Sequence, residues 1–410
     1  MKVAILGYGG RGRNYANILH HLYRKQVQIT AVIDTNADKL TNAQRELKIA
    51  PAQCYTDYKA FLAAGKTADW LLICTQDSDH YAHTMAALDA GYDILLDKPI
   101  SADPKECDAI AARAEELGRK VAVCHVLRYT PFYSKVKEII DSGVLGQLVG
   151  IEMTENVGYY HQAHSYVRGD WGNSDKATPM IFAKYCHDLD LASYFVNQPC
   201  KQVCSTGALH YFKPECAPQG SAKRCVDCKL TDCPYDARKI YLDTLRKIPR
   251  FARKYAWPQS RLVSDGVPTL AKVEQALHDG QFGRCVFACD NNVVDYQSTM
   301  MTFDNGVQCT LTMTAFSHEI YRTIYVRGTL GTLEGNFEKH CLYLRLYGKR
   351  SRKIRVRTPM SGHGGGDTGL MRGLVQGNLR TDIRLSIQSH KMAYAAEKSR
   401  LQGGQPVTIE

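Results

Sequence analysis

Apolar runs recur through the first 125 residues: Val3–Leu6, a run closing at Ile33, Asp69–Thr75, Ile94–Leu96 and 120–125. Each is short and nearly unbroken rather than alternating, the pattern of strands buried on both faces. Between them, 41–48, 57–64, 80–90 and 104–117 mix apolar and polar positions as amphipathic helices do. Strands alternating with helices of this length predict a parallel, doubly wound sheet.

Past residue 147 the pattern changes. Longer β-rich runs appear at 149–154, 294–303, 307–315 and 323–327, with Gly328-Thr329-Leu330-Gly331 as a turn. They predict a second, α+β domain built on a large open, mostly antiparallel sheet. Residues 205–290, rich in Pro, Gly, Cys and basic residues, interrupt it as an insertion with helix at 237–247 and 269–277. Two helices are expected over 367–400. The domains are thus 1–125 and 126–410, with no internal repeat.

The first strand feeds directly into Gly7-x-Gly9-x-x-Gly12, and Asp34 follows 22 residues after Gly12. In a βαβ unit the first glycine makes the tight turn, the second admits a pyrophosphate, and the third packs helix on strand. The pyrophosphate then sits on the amides of the helix N-terminus. A carboxylate about 20 residues on reaches the ribose hydroxyls. Its charge would repel a 2′-phosphate, which favours NAD over NADP. Ligands of such sheets bind at the carboxyl ends of the strands, which lines up Gly7, Asp34, Thr75, Lys98 and His125 along one crevice.

At 410 residues, 44% hydrophobic and 23% charged, the chain has the composition of an ordinary globular protein. It has no run of about 18 apolar residues and no leader-like start, so neither a membrane span nor export is expected and the cytoplasm is the expected compartment. The net charge of +11 concentrates in 223–261 and in Lys349-Arg350-x-Arg352-Lys353-x-Arg355-x-Arg357. Without interleaved aromatics or a docking motif, these read as solvated faces, not as a nucleic-acid surface.

Among fifteen cysteines, Cys54, Cys74, Cys107, Cys124 and Cys309 lie in apolar contexts as small hydrophobes. Cys216, Cys225, Cys228 and Cys233 fall within 18 residues of a loop and could hold a structural zinc or an iron–sulfur centre. Their spacing matches no common zinc pattern, and reduced thiols packed in a loop are the other reading.

The chain resembles the Gfo/Idh/MocA oxidoreductases. The resemblance rests on the glycine motif, Asp97-Lys98-Pro99 (Glu-Lys-Pro in the family), His125-x-x-Arg128-Tyr129-x-Pro131 and the segment from Met180 to Asp190 containing Lys184 and His187. Tyr166-Val-Arg168-Gly-Asp-Trp171, Gly283-Arg284-Cys285 with Cys289-Asp290, and Gly362 to Arg372 extend it over essentially the whole length. It implies a Rossmann domain followed by the open-sheet domain, Lys98 and His187 as the catalytic pair, and a homodimer or homotetramer formed through the open sheet. Gly7, Tyr8, Gly9, Gly10, Arg11, Gly12, Asp34, Thr75, Gln76, His80, Asp97, Lys98 and Arg128 become cofactor-binding candidates. Tyr129, His164, Arg168, Trp171, Lys184 and His187 become substrate-binding candidates, with His161 beside them and His363 and Asp367 as weaker ones.

Many members carry Asp four residues before the catalytic His, where Ala183 stands here. Lys184, three residues before His187, would share its helix face and join the catalytic group.

Oxidation of an alcohol needs a hydride acceptor and a base for the hydroxyl proton. His187, with an ordinary pKa near roughly 6.5, suits the base. Lys98 can stabilise charge on the reacting oxygen, and two nearby cations depress each other's pKa, helping either lysine act as a base. The expected activity is hydride transfer between NAD and a ring hydroxyl of a small sugar, glycoside or cyclitol. The alternative is an NAD-retaining glycoside hydrolase that oxidises C3, eliminates the aglycone, adds water and reduces again. A cofactor-binding regulator is a third reading, disfavoured by the complete Lys98/His187 pair.

Overall fold

The computed structural model describes residues 1–263, 266–359 and 362–409. Its first domain carries β1 (Lys2–Leu6), β2 (Gln28–Ile33), β3 (Cys54–Tyr55), β4 (Trp70–Ile73), β5 (Asp93–Leu96) and β6 (Val121–Val123). All pair in parallel, in the order β3-β2-β1-β4-β5-β6. The order reverses between β1 and β4, which opens a crevice at their carboxyl ends. Helices α1 (Gly10–Leu22), α2 (Ala37–Leu47), α3 (Tyr58–Ala63), α4 (His80–Asp89) and α5 (Pro104–Glu116) cover both faces. Local chemistry sets their starts: Asn36 caps α2, Asp57 caps α3, and Asp103 with Pro104 opens α5.

Thr130 and Pro131 likewise start α6 (Pro131–Asp141), which leads into the second domain. There β7 (Leu148–Asn156), β8 (Cys200–Ala208), β9 (Tyr296–Phe303), β10 (Gln308–Thr314), β11 (Tyr321–Gly328), β12 (Gly331–Asn336), β13 (Cys341–Leu346), β14 (Arg352–Arg355) and β15 (Val407–Thr408) form one sheet. Its order is β14-β13-β12-β11-β7-β10-β9-β8-β15, antiparallel except between β7 and β10. Burial alternates along these strands. One face packs on a core shared with α6, and the other leaves Val149, Tyr296 and Met300 exposed.

Between the strands lie α7 (Tyr159–His161), continued by a π-helical stretch over Gln162–Arg168, then α8 (Met180–Ala183) and α9 (Cys186–Val196). The insertion adds α10 (Thr244–Lys247) and α11 (Leu270–Asp279) around its own small core of Phe212, Tyr241, Leu245, Val273 and Phe287. It begins only after β8, a strand that the sequence pattern did not reveal, and most of the helix expected at 237–247 is π-helical.

The chain closes with α12 (Gly366–Val375) and α13 (Ile383–Leu401). These helices cross the expected division between 1–125 and 126–410. Leu370, Met371 and Leu374 enter the core between α1 and the parallel sheet, and Ile383 and Ile387 enter the core on its other side. Met392, Ala393, Ala395 and Ala396 belong to the core of the second domain. Among the described residues no helix is long and apolar enough to cross a membrane.

Candidate functional site

The glycine turn is built as its spacing demands. Gly7 has φ +93, and a methyl there would lie 2.5 Å from the Cys74 carbonyl oxygen. A methyl on Gly12 would strike the Gly7 oxygen at 2.0 Å, whereas one on Gly9 would meet nothing within 4 Å. The backbone is therefore closed behind the turn and open in front of it, the space a pyrophosphate needs. Helix α1 begins at Gly10 with no side-chain cap and no acid in its first turn, so its leading amides face the crevice without an anionic competitor. Asp34, buried at the end of β2, accepts from the amides of Tyr8 (2.8 Å) and Asn36 (2.9 Å), with Lys39 Nζ 3.3 Å away. These features fit a dinucleotide.

Side chains around the turn mostly brace it. The Tyr8 phenol donates to Glu46, and burial with that carboxylate raises its pKa. Arg11 turns away to Asp367 on α12 (2.8 and 3.2 Å) and stands 3.8 Å from Asp97. Thr75 Oγ1 meets His83 Nδ1 at 3.1 Å, while Gln76 lines a neighbouring cavity. His80 is buried with Nδ1 2.6 Å from the Pro99 carbonyl, so it braces the loop after Lys98.

A second cluster of candidates draws on both domains. Lys98 Nζ donates to the Ala183 carbonyl at the end of α8. His187, the second residue of α9, is buried, and its Nδ1 has no hydrogen-bond partner among the described residues. Its ring centroid lies 5.9 Å from that of His125 and 6.1 Å from that of His363. Burial lowers its pKa well below the ordinary value, reinforced by Lys98, His125 and His363. His187 is thus a neutral imidazole near neutral pH. His363, at φ +50 in its glycine-rich loop, is brought to this site, with Nδ1 3.2 Å from Asp367.

Lys184 and His187 do not share a continuous helix. The chain breaks at Lys184 and Tyr185 between α8 and α9. Lys184 Nζ instead pairs with Glu155 on β7 at 3.0 Å. Arg322 on β11 holds the other Glu155 oxygen and, at 3.0 Å, Asp188. Two cations and two carboxylates thus alternate in one buried network. Burial lowers the Lys184 pKa against the pull of Glu155, and burial raises that of Asp188 against Arg322. Glu155 and Arg322 were not among the expected site residues. Their signal in the sequence is only a charged residue on the inward-facing side of a strand.

Several candidates are committed elsewhere. Arg128 makes a buried bidentate pair with Asp190 (2.7 and 2.6 Å) and donates to the Arg380 carbonyl, so it is a strut and not a cofactor ligand. The Tyr129 hydroxyl accepts from the Arg380 amide at 2.6 Å and meets Thr381. His164 meets the Tyr241 hydroxyl at 3.0 Å and stacks on Phe282, its pKa lowered to about 3 by burial. Arg168 is wholly buried in the insertion's core, donating to the carbonyls of Arg284 (2.7 Å) and Tyr235 (2.6 Å). The substrate assignments of His164 and Arg168, both buried against the insertion, are thereby corrected. His161, half-buried, lies edge-on to Trp257.

Trp171 is different. Half-buried, it donates to Asp77 at 3.3 Å and lines a cavity of about 560 Å³ with Gln76, Asp77, Asn173 and Arg284. The cavity opens at the carboxyl end of β4, to one side of Lys98 and His187, neither of which lines it.

The expected metal site is also corrected. Among the described residues, no group of three or more His, Cys, Asp or Glu is arranged to hold an ion. Cys225, Cys228 and Cys233 border a small cavity with Cys285, Leu230 and Phe287, while the Cys216 thiol faces the His210 carbonyl. Cys216, Cys225 and Cys233 pack in or against the insertion's small apolar core.

Comparison with known proteins agrees with this architecture. Residues 1–125 match the Gfo/Idh/MocA oxidoreductase family's NAD-binding Rossmann fold, and residues 137–359 match its C-terminal alpha/beta domain. The protein YteT of Bacillus subtilis (strain 168) is 23% identical over 373 residues, 85% of this chain and 82% of that one. An inositol 2-dehydrogenase/D-chiro-inositol 3-dehydrogenase of Lactiplantibacillus plantarum is 28% identical over 200 residues, 48% of this chain and 52% of its own. Among solved structures, an inositol dehydrogenase homolog complexed with NAD+ from Azotobacter vinelandii has the same fold. Its TM-score is 0.68 at 15% identity, over 100% of this chain and 97% of that one. With both domains matched over most of its length, the chain belongs to the Gfo/Idh/MocA oxidoreductase family.

Proposed function

We propose that this oxidoreductase interconverts a ring hydroxyl and a ketone on a sugar, glycoside or cyclitol, using NAD. The observation that carries the reading is the reach of Lys98, from the cofactor domain, to the Ala183 carbonyl of the second domain, four residues before the buried His187. Gly7, Gly9, Gly10, Gly12 and Asp34 would hold the adenosine and pyrophosphate, with Thr75, Gln76 and Asp97 further along the crevice. The nicotinamide supplies the hydride acceptor. His187 takes the hydroxyl proton, for which a neutral imidazole is suited. Lys98 donates to the reacting oxygen and offsets the charge that builds there.

Lys184, held by Glu155, hydrogen-bonds a neighbouring hydroxyl and orients the ring. Trp171 offers an apolar face at the cavity beside it. The inositol dehydrogenase among the relatives supports a polyhydroxylated ring as substrate. Asp34 supports NAD over NADP. The exposed sheet face with Val149, Tyr296 and Met300 supports pairing of subunits through that face, and elution solely at 45.9 kDa would remove this part.

The test is NADH absorbance with NAD or NADP against free sugars, inositols and aryl glycosides, with aglycone release followed in parallel. Net NADH formation on one substrate class without aglycone release is the expected result. Aglycone release that requires NAD yet accumulates no NADH would replace the dehydrogenase by an oxidative glycosidase.

A further inference from the structure

The insertion sends one short segment back to the N-terminal end of α1. Ala256 and Gln259 are buried, and the Gln259 amide donates to the carbonyls of Ile240 (3.3 Å) and Tyr241 (3.2 Å). Leu262 and Val263 pack against the insertion's core. Trp257 rests edge-on against His161 (4.8 Å) and His164 (5.6 Å). The segment is thus anchored at both ends, and Arg261 is turned outward from it.

Its guanidinium lies against Gly10, the first residue of α1. A methyl on Gly10 would come within 2.7 Å of Arg261 Nη1, 3.1 Å of Cζ and 3.3 Å of Nη2. Downstream, a methyl on Gly266 would come within 3.1 Å of Arg13 Nη1, so the segment also touches the side of α1. A cation is poorly placed at the positive end of a helix. Among the described residues, no carboxylate forms an ion pair with Arg261. Arg13, also on α1, is paired with Glu46. The arrangement is balanced once an anion lies between the amides of α1 and the guanidinium, in the space left open before Gly9.

We infer that Arg261 is a cofactor-binding residue, clamping the dinucleotide pyrophosphate from the insertion against the N-terminus of α1. This rests on the reading of the chain as an NAD enzyme and adds to it. The phosphates are gripped from two sides, by backbone amides of the first domain and by an arginine that the glycine motif does not contain. Cofactor release then requires the Arg261 contact to break, so the bound dinucleotide leaves slowly.

Binding of NADH, ADP-ribose and adenosine to the full chain, followed by fluorescence and calorimetry, tests this in wild type, Arg261→Ala and Arg261→Lys. Arg261→Ala should weaken NADH and ADP-ribose by about 10- to 100-fold and speed NADH dissociation, leaving adenosine unchanged. Arg261→Lys should recover part of the loss, because it keeps the charge and loses the fork. Arg261 is exposed, so the variants should melt with the wild type. ADP-ribose affinity in Arg261→Ala within twofold of wild type overturns the assignment while leaving the NAD reading intact. A wild-type chain that binds neither NADH nor ADP-ribose removes the reading itself and this assignment with it.

Discussion

Lys184 and Glu155 form an ion pair at 3.0 Å in which the carboxylate is completely shielded from solvent. Arg322 shares Glu155, so removing that one carboxylate leaves two cations facing each other in the interior. Glu155→Gln should therefore lower stability by about 3–5 kcal/mol, the usual result of breaking a buried pair. Urea unfolding measures it, and a loss under about 1 kcal/mol would show that the network carries little.

Acid should destabilise the fold. His125, His161, His164, His187 and His390 all have lowered pKa values, each chiefly through burial. As pH falls below about 6.5, each takes up a proton when unfolded that it refuses when folded. Stability is thus present above that pH and lost on the way down, by about 1.4 kcal/mol per pH unit for each histidine. Asp188, Asp190 and Glu338 have raised values and oppose the trend over part of the range. Five against three leaves a net loss. The melting temperature should fall steeply from pH 6.5 to 5. A flat profile there would contradict the neutral burial of these rings.

The glycines of the turn should separate folding from binding. Gly9→Ala adds a methyl with no protein atom within 4 Å, so it should fold normally and bind NADH at least about tenfold more weakly by filling the pyrophosphate space. Gly12→Ala drives a methyl into the Gly7 oxygen and should instead destabilise by about 1–3 kcal/mol. Melting curves beside NADH titrations distinguish the two. Equal binding by Gly9→Ala would move the cofactor away from this turn.

Arg168→Met separates a structural arginine from a substrate ligand. Its guanidinium satisfies the Arg284 and Tyr235 carbonyls deep in the insertion, so its loss should cost about 2–4 kcal/mol of stability. In the protein that remains folded, KM should change no more for one sugar than for another. A substrate-selective rise in KM with unchanged melting would restore the ligand role.

The parallel sheet and the glycine turn were legible because their signals are local. Unbroken apolar runs mark strands buried on both faces, and the turn needs glycines at positions only five residues apart. Lys98 and His187 were singled out by resemblance, since each sits in a short motif matching the family's. The commitments of Arg128, Tyr129, His164 and Arg168 were not legible. In sequence an arginine that binds a ligand is identical to one that satisfies buried carbonyls, and partners such as Asp190, Arg380, Tyr241 and Tyr235 lie far along the chain.

What the sequence determined by itself is the alternation of elements and the cofactor turn, both set by periodicity and short-range backbone geometry. Tertiary structure alone decided the rest. It broke the helix between Lys184 and His187 and turned Lys184 to Glu155. It brought Asp367 across 356 residues to Arg11 and laid Arg261 against Gly10. Burying charge requires a partner, and which partner is within reach is fixed only when separate elements have packed.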